Sequence, residues 1–139
     1  DATHPDGSAR ALEGAHVAGA LDFDDLATLL GRAAVFALPA RYEPFGLVAL
    51  EALAAGAPLI VARTGGLAEL IAGTEAGLTF EPGNPDDLAH CVEMVMRDRQ
   101  LAQELTTNAR HLIDTKYAWH AVAESVARVY DAAITMYRI

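Results

Sequence analysis

Short apolar runs alternate with helix-like patterns along most of the chain. Four runs have the length and composition of buried strands, and the first of them is the weakest. These runs lie at 17–21, 34–38, 58–62 and 77–80. Because strands that alternate with helices form β-α-β units, the pattern predicts an α/β fold with a Rossmann-like parallel sheet and flanking helices.

Between and after these runs, apolar residues recur three and four positions apart, which is the spacing of an amphipathic helix. Asn84 and Pro85 are typical of a helix start, because Asn caps the first turn and Pro suits it. The last helix should carry Val122, Val126 and Val129 on one stripe. The predicted helices span 24–31, 46–55, 65–71, 85–97, 100–114 and 119–136.

The length of 139 residues is enough for one domain, so we assign 1–139 to it. Within it, 1–15 is predicted to be a loop or linker, and 100–139 a set of C-terminal helices. In an open parallel sheet, ligands bind outside the carboxyl ends of the strands. The loops that follow the predicted strands are therefore the places to look for a site.

The charge balance limits the possible partners. Nineteen acidic residues against ten basic ones give a formal net charge of −9, and no basic face suits nucleic acid. No apolar run has the length of a membrane span, and the first residues lack the pattern of a secretory leader. We expect a cytoplasmic protein that reaches a membrane surface only through segments outside this sequence.

The residues that could carry redox or metal chemistry show no site-like spacing. Cys91 is the single cysteine and lies in a helical pattern, so it is predicted to be a buried structural thiol. The five histidines, at 4, 16, 90, 111 and 120, lack the spacing of metal ligands. We therefore expect no metal.

The loop after the second predicted strand is the best candidate for chemistry. It enters a helix at Gly46, where the N–H groups of Phe45, Gly46 and Leu47 should face outward and attract phosphate. Glu43 lies at the mouth of this loop, and Glu51 lies in the helix among apolar neighbours. Carboxylates that flank a phosphate cradle suit a ligand with both hydroxyls and phosphate.

The run from Glu43 to Glu51, Glu-Pro-Phe-Gly-Leu-Val-Ala-Leu-Glu, resembles the E-x7-E motif of retaining glycosyltransferases of the GT-B fold. The resemblance is greatest to group 1 (family 4), to which glycogen and starch synthases are related. Further segments match this family in the right order, at 24–30, 53–58, 64–70, 77–84 and 117–119. Several loose motifs in order are more specific than any one of them.

The resemblance implies that the chain is the donor-binding, C-terminal domain of an enzyme of carbohydrate metabolism. That enzyme would move a hexose from a UDP-, GDP- or ADP-sugar to an acceptor sugar, lipid or small molecule. It implies a catalytic role for Glu43 at the donor sugar and ribose binding for Glu51. The backbone of Phe45, Gly46 and Leu47 would bind the sugar and the diphosphate, and no metal would be required.

Three features have a structural interpretation beside a functional one. Asp22 and Asp24 have the D-x-D spacing of metal-dependent glycosyltransferases, but capping of the following helix is the preferred interpretation. The pair Gly65–Gly66 suits either a phosphate contact or close packing. Trp119 begins an amphipathic helix and is predicted to be a core anchor rather than a sugar platform.

The chain also departs from the family pattern. No N-terminal GT-B domain is present, and neither are the first two strands of the C-terminal domain, with the arginine and lysine that bind the diphosphate. The family's strand order places those strands between 17–21 and 34–38, so we predict that these two segments do not pair directly. Alternative functions are a non-catalytic nucleotide-sugar-binding or structural module and a sugar-nucleotide epimerase.

Overall fold

A three-stranded parallel sheet forms the centre of the fold. The computed structural model describes residues 14–137, apart from the side chain of Leu67. The strands are β1 (Phe36–Leu38), β2 (Leu59–Ala62) and β3 (Gly77–Phe80), and their order in the sheet is β1-β2-β3. In the register of the sheet, Phe36 lies opposite Leu59, and Leu59 lies opposite Gly77. The predicted α/β fold with a parallel sheet is confirmed.

Six α-helices and one π-helical turn accompany the sheet in the described part of the chain. They are α1 (Phe23–Arg32), α2 (Leu47–Ala55), α3 (Gly65–Ile71), α4 (Pro85–Arg97), α5 (Arg99–Leu112), the π-helical turn (Ile113–Tyr117) and α6 (Trp119–Tyr137). Each predicted helix is present within a few residues of its expected bounds. Among residues 14–137, no helix combines the length and the hydropathy of a membrane span.

Side-chain caps explain where α4 and α5 begin. The Asn84 side chain accepts hydrogen bonds from the N–H groups of Asp86 and Asp87, at 3.1 Å each. Asp98 caps α5 in the same way, with bonds to the N–H groups of Gln100 (2.9 Å) and Leu101 (3.0 Å). These side chains satisfy N–H groups that have no partner within a helix, so α4 and α5 form as separate helices.

The core lies on both faces of β2, which is fully buried. Leu59 and Val61 face a cluster made with α2, α3 and the end of α5. Ile60 and Ala62 face the opposite cluster, made with β3, α4 and the start of α5. This alternation follows from the two-residue period of a strand, and both faces are apolar because helices cover both.

The predicted strand at 17–21 is wrong, because the structure has no strand or helix there. Val17 is 57 % exposed, and the segment is a loop that leads into α1. A short strand is stable only when a neighbour completes its hydrogen-bond ladder and a layer covers it, and this segment has neither within 14–137. Because 17–21 forms no strand, the prediction that 17–21 and 34–38 do not pair stays untested.

Helix α6 is the second departure from expectation. Its main contact is with the π-helical turn, and none of its described residues is buried. Trp119 is 89 % exposed, so the prediction of a core anchor is wrong. The stripe through Val122, Val126 and Val129 is also exposed, because no described element lies against it. Amphipathic spacing therefore predicted the helix correctly, but not its burial.

Candidate functional site

The loops that leave the three strands meet at one edge of the sheet, because the strands are parallel. The Thr64 hydroxyl donates to the carbonyl of Ala40 at 3.4 Å, which joins the loop after β2 to the loop after β1. The Arg63 N–H donates to the carbonyl of Phe80 at 2.9 Å, which joins it to the end of β3. This carboxyl edge is where open α/β sheets bind ligands.

The start of α2 is built around Gly46 and Glu43. Gly46 is the N-cap residue and has φ 81° and ψ 50°, a left-handed conformation that favours glycine. Since Gly46 has no side chain to cap with, Glu43 caps from three residues upstream. Its Oε1 accepts hydrogen bonds from the N–H groups of Gly46 (2.9 Å) and Phe45 (3.3 Å). A carboxylate at this position also complements the positive end of the helix dipole.

The N–H groups that were predicted to bind an anion are therefore divided into two sets. Those of Phe45 and Gly46 are occupied by Glu43. That of Leu47 lies in the first turn of α2, where no described residue supplies an acceptor for it. The N–H of Val48, which was not part of the prediction, also lacks one. The N-terminus of α2 thus binds the carboxylate of Glu43 and still has backbone N–H groups without an acceptor.

The start of α3 holds the Glu43 loop in place. A Cβ added to Gly66 would lie 2.3 Å from the carbonyl oxygen of Pro44, and one added to Gly65 would lie 3.4 Å from that of Glu43. No side chain fits the first of these spaces. Close packing therefore accounts for Gly66, with the loop after β1 as its partner rather than a strand, and the phosphate contact of Gly65–Gly66 stays a prediction.

Glu51 lies one turn further along α2, at the rim of a cleft between α1 and α2. The cleft has a volume of about 260 Å³. Its other lining residues are apolar: Phe23, Leu26, Ala27, Leu30, Ala54 and Ala55. Glu51 is exposed, and its carboxylate makes no hydrogen bond to a described residue. The predicted apolar neighbours are present, and the carboxylate reaches solvent at the edge of the cleft.

Sequence reasoning missed an ion pair at the carboxyl edge. Arg63 follows β2 directly, and its Nη2 lies 2.8 Å from Oε2 of Glu81, which follows β3. The N–H of Glu81 donates in turn to the carboxylate of Asp87, at 2.7 Å. The sequence positions of the two residues could have predicted this pair, since each residue directly follows a predicted strand. Both side chains are more than half exposed, so the pair contributes little to stability.

The candidate metal and thiol positions have structural roles. The Asp22 side chain accepts a hydrogen bond from the Asp25 N–H at 2.9 Å, which confirms the cap of α1. Among residues 14–137, no three acidic, histidine or cysteine side chains gather closely enough to hold a metal ion. Cys91 is buried as predicted. Burial, and secondly the charge of Asp87, raise the pKa of its thiol, which therefore stays protonated.

Residues 8–112 match the family model described as "Glycosyl transferases group 1". Among curated proteins, the chain is 41 % identical over 124 residues to a glycogen synthase from Mycobacterium tuberculosis. That match covers 89 % of this chain and 30 % of the relative. The chain therefore spans about a third of the length of this relative.

Solved structures show the same fold. A sucrose-phosphate synthase from Thermosynechococcus elongatus superposes with a TM-score of 0.73 at 33 % identity, over 85 % of this chain and 30 % of that one. HepE from Anabaena, solved in complex with UDP-glucose, gives a TM-score of 0.67 at 25 % identity, over 78 % and 30 %. With the family-model match, the parallel sheet and the E-x7-E loop, these likenesses show that the chain belongs to the group 1 glycosyltransferases and corresponds to part of their C-terminal GT-B domain.

Proposed function

We propose that this chain is the donor-binding part of a retaining glycosyltransferase. The enzyme would move a hexose from a nucleoside-diphosphate sugar to an acceptor sugar, lipid or small molecule. The observation that carries the proposal is the start of α2, where Glu43 and a set of backbone N–H groups converge at the carboxyl edge of the sheet. Such a site offers an acceptor for sugar hydroxyls beside donors for a diphosphate.

In the proposed complex, the donor takes over the N–H groups that Glu43 now occupies. Diphosphate oxygens or sugar hydroxyls would accept from Phe45 and Gly46, while the unfilled N–H of Leu47 adds a further donor. Glu43 would then turn to the hydroxyls of the sugar near the reacting carbon. Because Gly65 and Gly66 hold the backbone of this loop, only the Glu43 side chain needs to move.

Glu51 is the proposed ribose ligand. A carboxylate has two oxygens that can accept from the two hydroxyls of a ribose, and Glu51 has no competing partner among the described residues. It lies about one helical turn beyond the start of α2, where the Glu43 loop ends, so the two carboxylates are placed for the sugar and ribose ends of a nucleotide sugar.

The proposed chemistry follows from these positions. The bond from the sugar to the diphosphate breaks through an oxocarbenium-like state, and the acceptor attacks from the face that the diphosphate leaves. Negative charge grows on the diphosphate, where the N–H groups and dipole of α2 stabilise it. We expect no metal ion to be required, because these N–H groups would stabilise the charge on the leaving diphosphate.

The likeness to a protein solved with UDP-glucose supports a nucleotide-sugar donor. The likeness to a glycogen synthase, together with the Thr64-Gly65-Gly66-Leu67 run seen in glucan synthases, supports a glucosyl donor. The acceptor site is expected to lie on an N-terminal domain outside this sequence. The proposal therefore names only the class of acceptor, which is a sugar, a lipid or a small molecule.

The test is a chimera in which this sequence replaces the matched segment of the Mycobacterium tuberculosis glycogen synthase. We expect glucose transfer from UDP-, ADP- or GDP-glucose. Glu43→Ala should lower kcat by about 100-fold or more, because it removes a contact made at the reacting sugar. Glu43→Gln keeps an acceptor oxygen and should fall between Glu43→Ala and the parent.

Glu93→Ala is the matched control, since Glu93 is an exposed acid on α4 whose 3.7 Å pair with Arg97 is weak. Equal turnover in the Glu43→Ala and Glu93→Ala chimeras would remove Glu43 from catalysis. Calorimetry on the chain itself measures nucleotide-sugar binding independently of turnover. Failure to bind any of the three nucleotide sugars at millimolar concentration would contradict donor binding.

A further inference from the structure

We propose that Glu43 makes the site discriminate between the sugar donor and the nucleoside diphosphate that remains after transfer. Its carboxylate returns to the start of α2 once the hexose has gone, and there it competes with the diphosphate. The inference rests on the proposed donor-binding function and adds how the same site is regulated between turnovers. It begins from the two hydrogen bonds that Glu43 accepts from the N–H groups of Phe45 and Gly46.

The Glu43 carboxylate occupies a position that also suits a phosphate oxygen. Its Oε1 lies 2.9 Å from the nitrogen of Gly46 and 3.3 Å from that of Phe45. The N–H groups and the dipole at a helix N-terminus attract carboxylates and phosphates alike. The same two donors cannot serve both anions fully, and the two negative charges repel each other. A diphosphate must therefore displace the carboxylate to use these donors.

The contacts of Glu43 allow its carboxylate to leave. Among residues 14–137, no lysine, arginine or histidine forms an ion pair with it, and its Oε2 accepts no hydrogen bond from them. The backbone beneath it is fixed, since a Cβ added to Gly66 would lie 2.3 Å from the Pro44 carbonyl oxygen. The end of α2 alone thus holds the carboxylate, which can move away by rotation of its side chain.

The donor and its product differ in what they offer to the displaced carboxylate. Hydroxyl groups of a hexose can donate to Glu43, and these charge-assisted bonds replace the ones lost at Phe45 and Gly46. A nucleoside diphosphate has no hexose, so it displaces the carboxylate without such a replacement. Its apparent affinity is reduced by the fraction of molecules in which Glu43 holds the N–H groups. The site therefore accepts the donor and disfavours the product.

The test compares UDP with UDP-glucose by calorimetry on the 139-residue chain, and the ADP and GDP pairs in the same way. Glu43→Ala should bind each diphosphate about three- to tenfold more tightly, which corresponds to the usual contribution of a carboxylate at a helix N-terminus. The sugar nucleotide should bind no more tightly, because the variant also loses the contact with the hexose. Glu43→Gln keeps an acceptor oxygen without the charge, so its diphosphate affinity should be intermediate.

Glu93→Ala is the matched control, because it removes the same charge from an exposed acid of α4. A purely structural role of Glu43 predicts the opposite sign, since loss of a cap would weaken every ligand. The second readout is the NMR amide signals of Phe45 and Gly46, which should shift when inorganic pyrophosphate binds. Bound pyrophosphate that leaves both signals unmoved would overturn the competition for these donors.

The remaining outcomes separate this inference from donor binding itself. Diphosphate affinity in Glu43→Ala that is equal to or below that of Glu93→Ala would overturn the competition, and donor binding would stand if the sugar nucleotide still binds. An equal gain for the sugar nucleotide would overturn the discrimination. Diphosphate binding that is detected only in Glu43→Ala would support the competition. No binding of any nucleotide by the unaltered chain or either Glu43 variant at millimolar concentration would overturn both proposals.

Discussion

One hydrogen bond and one close backbone contact determine the geometry of the Glu43 loop. Glu43 reaches Gly46 because the intervening turn brings its carboxylate to the start of α2, and the loop stays there because Gly66 leaves space for the Pro44 carbonyl. Spacing along the chain predicts that Glu43, Gly46 and Glu51 belong to one site. It could not indicate that Glu43 already accepts from the Phe45 and Gly46 N–H groups, because that depends on a side-chain rotamer.

Gly66→Ala should destabilise the fold by about 1–3 kcal/mol, which is the usual cost of overpacking. The new Cβ would lie 2.3 Å from the Pro44 carbonyl oxygen, so the loop or α3 must shift. Urea unfolding followed by circular dichroism measures this loss. In the proposed function, the same shift should also weaken nucleotide-sugar binding.

Gly31→Ala is the control for this substitution. Gly31 is also helical, but its added Cβ would meet only the Ala55 carbonyl, at an ordinary 3.7 Å. Alanine is favoured over glycine in a helix by up to about 1 kcal/mol, so Gly31→Ala should be neutral or stabilising. Equal stability changes in the two variants would contradict a steric role for Gly66.

Among the elements, the helices with strong caps match their predicted bounds most closely. Helix α4 begins at Pro85 as predicted, because Asn84 and Pro85 specify its first turn from adjacent positions. The strands were less predictable: β1 begins at Phe36 rather than at 34, and 17–21 forms no strand. A strand depends on neighbours that are distant in sequence, whereas a cap depends on residues two or three positions away.

Asn84→Ala should reduce the free energy of unfolding by about 1 kcal/mol, because the N–H groups of Asp86 and Asp87 lose their acceptor. Asn84→Asp keeps an acceptor oxygen and should remain close to the unaltered protein. Thermal unfolding monitored by calorimetry distinguishes the two variants. Indistinguishable midpoints for Asn84→Ala and Asn84→Asp would show that the cap contributes nothing to stability.

Across the described chain, stability is concentrated around β2 and decreases toward α6. The core clusters lie on the two faces of the sheet, and both include residues of α5. Helix α6 has no buried residue, and its apolar stripe has no partner within residues 14–137. Helices of this kind open locally at low free energy, since little apolar surface is lost when they unfold.

Amide hydrogen exchange should therefore be fastest in α6 and slowest in β2. Exchange in β2 should require global unfolding, while α6 should exchange through local opening. Mass spectrometry of peptides from the two elements measures the difference, and α4, which packs on the sheet, serves as the protected helical reference. Protection of α6 equal to that of α4 would contradict this order and would indicate a partner for the apolar stripe.

The linear pattern of residues was sufficient for the helices, the α/β class, the E-x7-E loop and the Asp22 and Asn84 caps, because each depends on residues close together in the chain. Other features arise only when distant segments meet. These are the missing strand at 17–21, the exposure of Trp119, the packing of Gly66 on Pro44, and the cleft that Phe23 shares with Glu51. Local hydrogen bonds and periodicity are encoded over a few positions, whereas burial and close contact depend on which other elements the chain brings alongside.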